Sequence, residues 1–245
     1  MKILALDSTA LTATVALCEE ERLLGLYTIN SGNTQSETLL PMVESLMHLM
    51  KWEISDIDLF ACSRGPGSFT GVRIGAATVK GLAFGTGKPC IGVSTLEALA
   101  YHLMGLCGDQ DAILCPVMNA RRGQVYNALF RVSNGTMIRL CEDRALSIAE
   151  LENELLNYHD PIYLSGDGYD ITRQSIKQLE LPQTPELLRY QNAHSVAMVA
   201  LAAYRNGVRT TDAELSPSYL RLPQAERERN ERLAREAAEN TRQSI

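Results

Sequence analysis

No two of the six cysteines form a C-x-x-C pair; positions 18, 62, 90, 107, 115 and 141 lie 44, 28, 17, 8 and 26 residues apart. That spacing argues against a zinc ribbon or a dense disulfide framework, and the thiols read as small buried hydrophobes of a reducing compartment. Also missing is any apolar stretch near the ~18 residues of a membrane span. The N-terminal run Ile3–Leu6 is broken by Asp7 after four residues, too short for a signal-peptide core and suited to a buried strand. A cytoplasmic protein with no membrane contact is expected. Positive charge is short as well: 23 Lys+Arg stand against 29 Asp+Glu, a formal net charge of −6. Phosphate contacts draw on clustered Lys and Arg, so the chain alone is a poor holder of nucleic acid, and a role near RNA calls for a basic partner. The four histidines (48, 102, 159, 194) show no metal-binding spacing, and no G-x-S-x-G elbow occurs. Neither a metal site nor a catalytic residue is expected.

What remains is an ordinary globular composition, 45% hydrophobic and 21% charged over 245 residues, enough for one large domain or two small lobes. The first half alternates strands and helices. Lys2–Leu6, Ala13–Cys18 and a strand around Arg22–Thr28 form a meander. Thr34-Gln35-Ser36-Glu37 fits a capping box for a helix to about Lys51, although Pro41 favours an irregular start. A strand over Asp58–Ser63 leads through a glycine-rich loop to a helix from about Thr70 to Phe84. Cys90–Val93 is a short strand, and Ser94–Glu97 caps a helix to about Met104. The second half restarts: strand Ala112–Met118, turn 119–123, returning strand Val125–Val132. Asn119 placed on Asp7 aligns the two hairpins at an offset of 112 residues; duplication and two unrelated hairpins both fit this pattern. A third capping box at Ser147–Glu150, a strand Pro161–Leu164 running into Ser165-Gly166-Asp167-Gly168, and a helix through Ala193–Ala203 follow. The division expected is 1–106, 107–222, and a charged tail, 223–245, with i,i+4 Glu–Arg pairs but no apolar stripe.

Chemistry concentrates in Ser63-Arg64-Gly65-Pro66-Gly67-Ser68-Phe69-Thr70-Gly71-Val72-Arg73. A glycine-rich loop entering a helix exposes backbone N–H groups to an anion. Its G-x-G-x-x-x-G spacing is one residue too long for the dinucleotide fingerprint, and no P-loop lysine follows. Gly65, Gly67 and Ser68, with Asp7, Ser8 and Thr9 of the first hairpin, are the candidate phosphate contacts; a plain tight turn fits the same glycines. In the following helix, Gly71, Gly75, Ala76 and Val79 present a small-residue face, and each helical glycine costs about 1 kcal/mol relative to Ala. Close approach of another helix would compensate. The preceding helix is apolar over most of its circumference: Leu39, Val43, Leu46 and Met50 make a stripe that Leu40, Met42, Met47 and Leu49 widen. Either this helix is fully buried, or Leu39, Val43, Leu46, Met47 and Met50 join the small-residue face in a partner interface, the reading preferred here.

Ile3–Leu17, Ser63–Ala83 and Ser216-Pro217-Ser218-Tyr219-Leu220-Arg221 together resemble the TsaB (YeaZ) family, the non-catalytic subunits of the bacterial tRNA threonylcarbamoyladenosine machinery. Gly65–Gly75 carries the most specific motif, and the resemblance covers about residues 1–222. It implies the duplicated α/β fold of actin and the sugar kinases, two lobes each with a mixed sheet flanked by helices. It also implies a scaffold that pairs with the catalytic paralogue TsaD, joined by the ATPase TsaE, to modify the adenosine beside the anticodon of tRNAs reading ANN codons. Alone, such a subunit would form a homodimer and meet tRNA only through the complex. The paralogue's metal-binding H-x-x-x-H pattern falls on Thr95 and Leu99 here, neither a workable ligand for that site. Asn119 and Gln124 stand where the family usually has Asp and Glu. No cofactor is expected beyond vestigial nucleotide contact. The alternative is a phosphotransferase using Asp7 and the glycine loop on ATP; it needs a second carboxylate, which Asn119 fails to supply.

Overall fold

The computed structural model describes residues 1–32, 34–108 and 110–221; the charged tail expected over 223–245 lies outside them. Strands β1 (Lys2–Asp7), β2 (Ala13–Glu19), β3 (Arg22–Ile29), β4 (Leu59–Ser63) and β5 (Cys90–Val93) form a sheet ordered β3-β2-β1-β4-β5. β1 runs antiparallel to β2 and parallel to β4, with Ile3 opposite Leu59. The sheet is covered on both faces, which is why β1 is a continuous apolar run rather than an alternating one. Leu4, Leu6, Val15 and Leu17 face α1 (Gln35–Met50) and α2 (Phe69–Ala83). Ile3, Ala5, Ala16 and Ala61 face the other way, toward α3 (Thr95–Leu103) and α6 (Ala193–Arg205). The chain beyond residue 107 therefore does not stay with the second sheet: α6, the last helix among the described residues, returns to complete the first lobe.

The second lobe is built on β6 (Ala112–Asn119), with β7 (Gln124–Asn127), β8 (Phe130–Ser133), β9 (Thr136–Arg139), β10 (Arg144–Ser147) and β11 (Ile162–Ser165). Its helices are α4 (Ile148–Leu155) and the short α5 (Tyr169–Ser175), the latter absent from the sequence reading. The returning strand expected over Val125–Val132 is split into β7 and β8. Both halves keep one register on β6, Val117 opposite Asn127 and Leu114 opposite Phe130, so the gap falls opposite Pro116, which has no N–H for the ladder. Buried Asn127 repairs the break by donating through Nδ2 to the Pro116 and Ala128 carbonyls, both at 3.0 Å. With each split pair counted as one strand, the order β9/β10-β8/β7-β6-β11 repeats β3-β2-β1-β4, and β11 lies parallel to β6 as β4 does to β1. The offset of the two hairpins is a true internal duplication.

Capping follows the expectation in part. Ser147 and Glu150 make the full reciprocal box of α4. Ser94 caps α3 through the Glu97 N–H at 3.2 Å, but the Glu97 carboxylate pairs instead with Arg139 of β9 at 2.8 Å, tying the lobes together. Thr34 precedes α1 in extended conformation, yet its side chain caps nothing, and the helix runs from Gln35 with Pro41 inside it.

Candidate active-site cleft and helical face

The first hairpin and the glycine loop meet at the top of β1 and β4. Asp7 is buried; its Oδ1 accepts from the Thr9 N–H and Thr9 Oγ1, each at 2.7 Å, and its Oδ2 accepts from Ser63 Oγ. Burial pushes the Asp7 carboxyl above its ordinary range, against the pull of these donors. Ser8 Oγ donates to the Gly71 carbonyl at 2.8 Å, and the Ser68 N–H donates to the Thr9 carbonyl at 2.7 Å. Ser68 in turn caps α2, its Oγ accepting from the Gly71 N–H. Asp7, Ser8, Thr9, Gly67 and Ser68 are thus one cluster, and Gly65 holds it to α3 by accepting from the Thr95 N–H at 3.0 Å. One of the loop's donors, the Ser68 N–H, is spent on the hairpin rather than turned outward.

This packing also accounts for the glycines. A Cβ on Gly67 would sit 2.4 Å from the Thr9 carbonyl oxygen, and one on Gly71 would sit 2.0 Å from that of Ser8. On Gly75 it would lie 2.6 Å from Ser8 Oγ. The small-residue face of α2 admits the chain's own hairpin, not a partner helix. The remaining residues assigned to an interface turn inward as well. Leu39, Val43, Leu46, Met47 and Val79 are buried against the first sheet, Ala76 is buried as well, and Met50 is half-buried at the sheet's margin. Leu46 lies 2.8 Å from where a Cβ on Gly25 of β3 would stand. A helix apolar nearly all round does not say which side faces in; the uncovered Leu4, Leu6, Val15 and Leu17 of the sheet decide it. Outward on the same two helices stand Leu40 (45% exposed), Leu49 (65%), Ala77 and Gly81, with Phe84 (79%) just past α2.

Across the cleft the second lobe repeats the device. Gly166 packs on β6, where a Cβ would come within 2.2 Å of the Val117 carbonyl oxygen, and the Gly168 N–H donates to that oxygen. Between them Asp167 accepts the Asn119 N–H at 2.9 Å. It reaches solvent at the cleft mouth, but the protein crowded around its carboxyl raises its pKa, and its charge adds to the rise at Asp7. Asn119 carries no carboxylate, and the one that stands beside it is that of Asp167. The S-G-D-G run leaving β11 mirrors the glycine loop leaving β4, which was the available signal. Among the described residues no three His, Cys, Asp or Glu side chains gather as a metal site. Thr95 and Leu99 are both buried, with Leu99 against Gly166.

At the tip of the second hairpin, Arg121 and Arg122 both adopt left-handed backbone (φ 63° and 55°), followed by Gly123 at 71°. That conformation costs a non-glycine residue roughly 1–2 kcal/mol.

A three-antiparallel, one-parallel sheet unit occurring twice, each with a glycine loop pinned to the lobe's first hairpin, defines a duplicated α/β protein. The family model described as TsaD, tRNA N6-adenosine threonylcarbamoyltransferase, matches residues 30–229. The tRNA threonylcarbamoyladenosine biosynthesis protein TsaB of Bacillus subtilis is 30% identical over 227 residues, 92% of this chain and 96% of that protein. Its namesake in Escherichia coli is 28% identical, over 90% and 95% of the two chains. Among solved structures, YeaZ from Pseudomonas aeruginosa superimposes with a TM-score of 0.73 at 28% identity, covering 89% of this chain and 99% of that one. The chain belongs to the TsaB (YeaZ) family.

Proposed function

We propose that this chain is the non-catalytic scaffold subunit of tRNA threonylcarbamoyladenosine formation, pairing through its first lobe with a TsaD-like catalytic paralogue. The observation that carries the reading is the outward face of α1 and α2. Leu40, Leu49 and Phe84 are large exposed apolar side chains, and Gly81 has nothing within 4 Å of a Cβ position. Leu40 and Leu49 flank the buried side of α1, and Phe84 follows Gly81 by three residues, so an exposed apolar group and an open glycine on α2 suit the approach of a second helix. A paralogue of the same ancestry, indicated by the match to the TsaD model, would bring the equivalent pair. The chain's own catalytic equipment is poor, since Thr95 and Leu99 occupy the positions of the paralogue's metal-binding histidines. A TsaE-like ATPase would join the pair in the cytoplasm, the free chain would self-associate through the same face, and tRNA would be held by the assembly. The test is co-purification with the paralogue, followed by a tRNA modification assay with each subunit omitted in turn. Modification that proceeds without this chain defeats the reading.

One observation favours a second reading, an ATP-dependent phosphotransferase: Asp167 lies near enough for its charge to act on Asp7, which brings a second carboxylate to the neighbourhood of the first hairpin. Asp7 already accepts three hydrogen bonds within the fold, which leaves little capacity for a nucleotide-bound cation. Calorimetry with ATP separates the two; steady turnover abolished by Asp7→Ala would move the phosphotransferase ahead.

A further inference from the structure

Most arginines of the second lobe and of α6 are neutralised: Arg131, Arg139, Arg144, Arg189 and Arg205 each hold a carboxylate. A different group gathers where the segment after α6 crosses from the first lobe to the second. Arg73 on α2 stacks on Phe69, 3.8 Å from the ring centre, and donates through Nε to Tyr219 Oη at 2.8 Å. Phe69 and Tyr219 lie 4.7 Å apart. Two residues on, Arg221 donates to the Ala120 carbonyl at 2.8 Å, with its guanidinium 6.0 Å from the Tyr126 ring. Ala120 leads directly into the exposed tip, Arg121 and Arg122. Among the described residues, Arg73, Arg121 and Arg221 form no ion pair, although the chain carries a net charge of −6. The tip keeps two consecutive arginines in left-handed backbone where glycine or asparagine would sit without strain. Strain retained at an exposed cationic tip points to a use for the Arg121 side chain.

We infer that this arginine–aromatic surface, Arg73, Arg121 and Arg221 interleaved with Phe69, Tyr126 and Tyr219, is a contact site for the phosphate backbone of RNA. The inference rests on the proposed place in tRNA modification and adds to it a surface of this chain that touches the nucleic acid. Guanidinium forks match phosphate oxygens two at a time, and neighbouring rings offer a face for an unpaired base. The Tyr219 ring, 42% accessible, is open to stacking by a base, and an acidic protein partner, which would meet the same charge, is the outcome that poly-glutamate competition reads. With three phosphates engaged, the chain alone binds weakly, in the range of about 10⁻⁴–10⁻⁶ M typical of sequence-independent contact.

The test is fluorescence anisotropy of a labelled single-stranded RNA against the full chain at 25 to 200 mM salt. The expected slope of log K against log salt is about −2, at about −0.7 per phosphate. Arg73→Gln and Arg121→Gln should each flatten it by about 0.7. Arg22→Gln, the same charge change at the opposite end of the first hairpin, should leave it unaltered. Arg121→Asn suits the tip's backbone and keeps the test valid should the other variants fold poorly. A wild-type slope in both Arg73→Gln and Arg121→Gln overturns the assignment. So does equal competition by poly-glutamate, or a loss in Arg73→Gln confined to pairing with the paralogue. If pairing with the paralogue succeeds while RNA binding ignores these arginines, the scaffold reading stands and this surface falls. If pairing fails while binding follows the arginines, the reverse holds.

Discussion

Leu46→Ala and Gly81→Leu sit on adjoining helices and should have opposite consequences. Leu46 is buried on α1 with its methyl group seated over Gly25, so truncation removes most of a core side chain and leaves a cavity that a covered sheet cannot collapse. Leucine-to-alanine changes of this kind cost roughly 3–5 kcal/mol. For a chain of this size that lowers Tm by about 6–20 °C, at 2–4 °C per kcal/mol. The outward face of α1 is untouched, so the folded fraction of Leu46→Ala should still bind the catalytic paralogue. Gly81 is exposed, and replacing it relieves a helical glycine, a gain of up to about 1 kcal/mol. The new leucine, however, fills the open position into which a partner helix would settle, and pairing should be lost. The assay is thermal melting by circular dichroism together with sedimentation of each variant, alone and with the paralogue, below its Tm. Unchanged Tm with lost pairing in Leu46→Ala, or wild-type pairing in Gly81→Leu, would refute the assignment of inward and outward faces.

Gly71→Ala should be far worse than Gly81→Ala: the new methyl falls 2.0 Å from the Ser8 carbonyl oxygen, so a loss of at least about 2 kcal/mol in urea unfolding is expected. The Gly81 change should instead stabilise slightly. Asp7→Asn tests the buried carboxyl. A folded pKa above the ordinary 3.8 means more proton bound folded than unfolded. Its contribution is therefore full below 3.8 and lost as pH rises through the folded value. Asp7→Asn should flatten stability across that window and match or exceed wild type at pH 7; a variant that loses stability at pH 7 but not at pH 4 contradicts this. Native thiol titration checks the cysteines: burial pushes Cys18 to about 12 and Cys90 to about 11, and Cys62 and Cys115 up as well. Only partly exposed Cys141 should react promptly, with all six titrating in denaturant.

Local signals in the sequence determined a good deal. The apolar run Lys2–Leu6, the box at Ser147–Glu150 and the strand Cys90–Val93 are written in neighbouring residues, because periodicity and capping act over a few positions. The residues Asp7, Ser8, Thr9, Gly65, Gly67 and Ser68 stand out in the sequence as candidate phosphate contacts, whereas their hydrogen bonds to one another belong to the tertiary structure. Only the tertiary structure decided which side of α1 faces in, because a helix apolar over most of its surface satisfies either choice until a sheet face demands cover. It decided that Gly71 and Gly75 make room for a hairpin some 65 positions earlier in the chain, a contact no spacing rule encodes. Asp167 took the cleft position beside Asn119 through a backbone hydrogen bond from another strand. Arg73, Arg121 and Arg221, unremarkable in a chain of net charge −6, became one surface through the crossing segment that carries Tyr219. Composition counts charges, and folding alone places them side by side.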